Sequence, residues 1–179
     1  MLMILSLFIA NASAVCDTST DLVINEFSSN PDGTDSGFEW IELYNNGATS
    51  LDLSEWAIER AKSSWGARYT LPAGTTLDAN DYLLIGDSKS GADLISATNL
   101  DLGNASSGSD AIRVVDCNAL IIDTVVYGPD NSIDGWLEDD GLTSVNPAEA
   151  PSSGGSGGRA TDGIDSDNSG NDFMRFAVP

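Results

Sequence analysis

Phe38-Glu39-Trp40-Ile41-Glu42-Leu43-Tyr44-Asn45 is the stretch that decides the fold. It is dense in aromatic and branched residues, and in an extended strand its two-residue period puts Glu39, Ile41 and Leu43 on one face and Trp40, Glu42 and Tyr44 on the other. It closes on Asn45-Asn46-Gly47, residues that tolerate positive φ and turn the chain. Moving outward, similar short runs recur at residues 22–28, 56–60, 67–71, 82–87, 111–116 and 120–127. Turn clusters separate them: Asn30-Pro31-Asp32-Gly33, Pro72-Ala73-Gly74, Asn104 to Gly108, and Gly128-Pro129-Asp130-Asn131. Helical periodicity is almost absent. Seven short strands at this spacing predict an all-β chain folded as an immunoglobulin-like β-sandwich.

Beyond residue 128 the strand pattern stops. Residues 129–158 read as an extension ending in the spacer Pro151-Ser152-Ser153-Gly154-Gly155-Ser156-Gly157-Gly158, flexible by composition. Residues 159–179 read as a flexible acidic C-terminal tail carrying Asp162, Asp165, Asp167 and Asp172. The organisation expected is therefore a leader over 1–14, the sandwich over 15–128, the extension and spacer over 129–158, and the tail.

Composition removes whole classes of function. The 179 residues include no His, 2 Cys, 28 Asp+Glu and 7 Lys+Arg, for a net charge of −21. Without imidazole there is no Ser-His-Asp or Cys-His nucleophile and no His-bearing zinc or iron site. Two cysteines cannot form a four-thiolate centre. A field this negative repels nucleic acid, whose binding depends on Lys and Arg displacing phosphate counterions. No nucleic-acid partner is expected.

The first fourteen residues, MLMILSLFIANASA, join an apolar run to Ala12-Ser13-Ala14, an A-x-A pattern that predicts cleavage before Val15. The run is far shorter than the ~20 residues of a membrane-spanning helix. Cys16 is a poor lipidation site, because the branched Val15 precedes it. Export implies a secreted, extracellular or cell-envelope location, and an oxidising compartment gives Cys16 and Cys117 a disulfide as their expected state, against two independent thiols.

Val23-Ile24-Asn25-Glu26-Phe27, Glu39 to Asn45, Leu51-Asp52-Leu53-Ser54-Glu55-Trp56, Leu71-Pro72-Ala73-Gly74-Thr75, Tyr82-Leu83-Leu84-Ile85 and Asp123-Thr124-Val125-Val126-Tyr127-Gly128 resemble, in order and spacing, the lamin-tail domain as it occurs in secreted bacterial proteins. The resemblance spans roughly residues 20–128. It implies an immunoglobulin-like sandwich serving as an interaction or accessory module on exported proteins, with no catalytic residues to carry over. The expected partner is thus a protein or cell surface.

Three candidate sites follow from the residues. Glu39 or Glu42 with Glu26 offers the carboxylate pair of a hydrolase, since glycoside hydrolysis sets two carboxylates across a bond. The competing role is structural: carboxylates at strand ends accept backbone N–H groups from adjoining turns. Trp65, in Ser63-Ser64-Trp65-Gly66, reads as a loop aromatic open to a partner, whereas Trp40 and Trp56 read as core. In the tail, Asp165-Ser166-Asp167-Asn168-Ser169-Gly170 repeats the first half of a calcium loop, but position twelve is Phe176, which excludes an EF-hand. Asp162, Asp165, Asp167 and Asp172 remain a candidate Ca²⁺ set in an irregular loop, against a solvated acidic tail. No other cofactor is expected.

Overall fold

The computed structural model describes residues 16–177; the leader expected over 1–14 lies outside them. In chain order the elements are β1 (Leu22–Ser28), β2 (Trp40–Asn45), β3 (Leu51–Asp52), β4 (Ala57–Ala61), β5 (Trp65–Thr70), β6 (Thr76–Leu77), β7 (Tyr82–Gly86), β8 (Leu94–Ile95), β9 (Asp110–Val115), β10 (Ile121–Tyr127), β11 (Ser156–Arg159), the helical turn α1 (Ser169–Asp172) and β12 (Phe173–Phe176). They form a six-stranded sheet, β12-β11-β1-β2-β7-β8, a four-stranded sheet, β10-β9-β4-β5, and a small β3-β6 ribbon. All pairings in the two large sheets are antiparallel except β7 with β8.

The alternation in β2 sets the inside of the sandwich. Ile41 and Leu43 are fully buried, while Trp40, Glu42 and Tyr44 are half-buried on the outer face. The core joins Leu22, Ile24 and Phe27 of β1 to Trp56, Ile58, Ile112, Val114, Val125 and Tyr127. Across the sandwich the Phe27 and Tyr127 rings meet with centroids 4.6 Å apart. Trp56 is core as expected, whereas Trp40 is not. Asn45 ends β2 fully buried, its amide donating to the carbonyls of Thr49, Leu77 and Asp78 and its Oδ1 accepting from Gly47 N. That side chain satisfies the backbone of the turn from within.

The disulfide Cys16–Cys117 is present, joining the segment before β1 to the turn between β9 and β10. Among the described residues no helix is long and apolar enough to cross a membrane.

Two expectations are corrected. Gly154 to Gly158 is not a flexible spacer, nor do residues 159–177 hang free: β11 pairs antiparallel with β1, and β12 pairs with β11. Glycine serves close approach here. A Cβ at Gly157 would stand 3.0 Å from the Phe27 ring, and one at Gly158 would stand 2.8 Å from the Phe176 ring. At these two positions only a residue without a side chain fits beside the aromatic rings. The second correction concerns Trp65, which opens β5 instead of sitting in a loop.

Candidate functional site

A cleft of about 800 Å³ opens beside the start of β2 and is lined by Asp35, Glu39, Lys62, Asp101, Asp110 and Asp134 among other residues. Glu39, Asp110 and Asp134 are turned toward backbone donors. Both carboxylate oxygens of Glu39 accept from Leu102 N at 3.2 Å, and Asp110 Oδ2 accepts from Ala105 N at 2.7 Å. Asp101 is held by Arg60 at 2.6 Å and Lys62 at 2.9 Å. Behind the cleft, Asp87 accepts from Gly37 N and Leu100 N, and the Tyr127 hydroxyl donates to Leu102 O. Burial pushes Glu39 up to about 7; the Leu102 N–H opposes the rise, and Asp87 and Asp35 reinforce it. These carboxylates fix the loop between β8 and β9 against β2, which is the structural role anticipated for a strand-end acid.

Glu26 and Glu42 go elsewhere. They are cross-strand partners on β1 and β2, half-buried on the outer face of the six-stranded sheet. Glu26 accepts from Ser156 Oγ, and Glu42 accepts from the Asn25 amide at 3.0 Å. Burial raises the Glu42 pKa, the Asn25 amide lowers it, and Glu26 and Asp162 raise it further. Glu39 is thus separated from the pair that Glu26 and Glu42 make, and neither member of that pair lines the cleft.

Trp65 is half-buried. The Arg113 guanidinium lies over its ring at 4.0 Å and Trp136 meets it edge-on at 5.8 Å, while Trp136 Nε1 donates to Ser109 O. The two indoles and Arg113 pack residues 129–147 onto the outside of the four-stranded sheet, where Ala61, Ala111 and Val126 form a small second core. That excursion also carries exposed apolar side chains: Ile133, Leu137, Leu142 and Val145, the last 90% exposed.

The four tail aspartates do not converge: among the described residues, no three of them come within ligand distance of one point. Asp162 accepts from the Tyr82 hydroxyl at 2.7 Å and the Asn25 amide at 3.2 Å, over the outer face of β1, β2 and β7. Asp165 and Asp172 face Arg159 Nη1 at 3.2 and 3.5 Å. Asp172 also accepts from Ser166, and Asp167 lies exposed with φ +53°. The reason is Arg159, which sequence reading overlooked. Its side chain is 1% exposed, lies over the Phe173 ring, and donates to Ile24 O and Ile164 O. Its Nη2 meets Asp123 Oδ2 at 2.8 Å, and Asp123 is equally buried. Burial pushes Asp123 upward, the guanidinium pulls it back, and Asp165 pushes it up again. The legible signal was Asp123 itself, an acid within the apolar run Ile121 to Tyr127, since buried acids require partners.

A protein-family model described as Lamin Tail Domain matches residues 17–129, which span β1 to β10. No curated protein matches the chain.

Proposed function

The chain belongs to the lamin tail domain family, and from that premise we propose that it is an exported, non-catalytic module that binds a protein or cell-surface partner through residues 129–147. The observation that carries this reading is the exposure of Ile133, Leu137, Leu142 and Val145 along one excursion that is itself anchored by Trp136. Exposed apolar side chains concentrated on one segment mark an interaction surface, and a rigid scaffold beneath them lowers the ordering cost of binding. The disulfide and the A-x-A leader support an extracellular or envelope location. Trp65 contributes by supporting Trp136, and the acids Glu26, Glu39 and Glu42 serve the frame of the fold.

The test is retention of a partner from envelope or culture fractions on immobilised protein. The wild type is expected to retain a saturable partner, and Ile133→Ser with Leu142→Ser and Val145→Ser is expected to lose at least ten-fold in affinity at unchanged Tm, since each apolar contact is worth roughly 1 kcal/mol or more. Equal retention by both proteins removes this surface from consideration.

A further inference from the structure

Asp123, Asp139 and Asp165 come from three different segments: β10, the excursion, and the loop before α1. Each offers a carboxylate oxygen, and the three oxygens lie within 4.8 Å of one another. Arg159 engages Asp123 through Oδ2 and Asp165 through Oδ1. Asp123 Oδ1 is left buried with no hydrogen-bond partner, on a residue with no exposed surface, and Asp139 Oδ1 is likewise buried and unpartnered. Two orphaned carboxylate oxygens in one cluster are costly, because a buried acceptor without a donor or cation forfeits its solvation. The charges do not balance either: Asp172 is a third carboxylate facing Arg159, which among the described residues is the one cation in ion-pair contact with Asp123, Asp165 and Asp172, and Asp139 adds a fourth acid to the cluster.

We infer that Asp123, Asp139 and Asp165 form a binding site for one hard divalent cation, Ca²⁺. Ligand oxygens 2.3–2.6 Å from a common ion stand at most about 4.6–5.2 Å apart, so a mutual span within 4.8 Å suits Ca²⁺. Mg²⁺, at 2.0–2.1 Å, demands a near-ideal octahedron and gives up its waters reluctantly. Loop-borne ligands at Asp139 and Asp165 give the adaptable geometry that Ca²⁺ accepts, while Asp123 is fixed by its strand. The ion clamps the excursion and the C-terminal loop to β10. This site stands independently of the partner-binding surface, and it shares only Asp165 with the set suggested by the tail sequence.

The experiment uses the disulfide-intact protein stripped with chelator, titrated with Ca²⁺ alone by calorimetry, with thermal unfolding followed in parallel. One saturable site is expected, with Tm rising by about 5–10 °C at a hundred times Kd. Asp139→Asn should weaken binding at least ten-fold and remove the Tm rise, while Asp140→Asn at the exposed neighbouring position should leave both intact. Mg²⁺ at the same concentration should give less than half the rise. No binding heat and no Tm rise in the wild type overturns the site, whatever the variants do. An equal rise in the wild type and Asp139→Asn, or an equal rise with Mg²⁺, also overturns it, because it shows screening of an acidic surface.

Discussion

Glu39 shows how one residue can couple fold and solvent. It is buried at the mouth of the polar cleft, where the groups facing it are the Leu102 N–H and the carboxylates Asp87 and Asp35. Its pKa is raised in the folded state from 4.5 to about 7, so between those values the folded protein holds a proton that the unfolded chain has released. Stability from this group is therefore present below about pH 4.5 and is lost as pH rises toward 7, by at most about 3 kcal/mol. Glu39→Gln, which cannot titrate, should flatten the fall in Tm between pH 5 and 8 (roughly 2–4 °C per kcal/mol). An unaltered pH profile in that variant would locate the dependence elsewhere. Sequence reading found this residue, its face and its backbone-accepting role, because an acid at the edge of an alternating strand has few other fates. It did not find Asp87, whose role depends on Gly37 and Leu100 arriving from distant segments.

At the level of elements, the decisive feature is the pairing of β11 and β12 onto β1. Without them β1 would present an open edge, and unpaired strand edges invite association. The opposite sheet is closed in a related way: the Val126 N–H of β10 donates to Ser169 Oγ, and Ala148 N donates to Val126 O. Truncation after Ala150 removes β11 and β12 together with Arg159, leaving Asp123 buried and unpaired. That last effect alone costs on the order of 3–5 kcal/mol. The truncated protein should show a lower urea midpoint by tryptophan fluorescence and a tendency to aggregate; a midpoint equal to the full chain would mean that the added strands contribute nothing to stability. Seven of the strands were legible from residue type and turn chemistry. The two-residue strands β3, β6 and β8 were too short to carry a period, and β11 was hidden because glycine-rich composition signals flexibility unless aromatic neighbours need the space.

For the whole molecule, the disulfide spans a sequence separation of 101 and so constrains almost all of the family domain when unfolded. In the chain-entropy picture a loop of about 100 residues is worth up to ~4.7 kcal/mol, so Cys16→Ser with Cys117→Ser should lower stability by about 2–5 kcal/mol in urea unfolding. Retention of full stability would show that packing alone holds the N-terminal segment. What the sequence determined by itself is the sandwich, the family, the cysteine pair and the exclusion of imidazole chemistry, because each follows from local periodicity, spacing or plain composition. Tertiary structure decided where the acids go. Asp123, Asp139 and Asp165 lie on three separate segments, and only the folding of the excursion and the C-terminal loop back toward β10 brings them around a common point, with Arg159 of β11 joining Asp123 to Asp165. Charge in a sequence is a sum, but its chemistry depends on distances within a few ångströms, and those are fixed by packing.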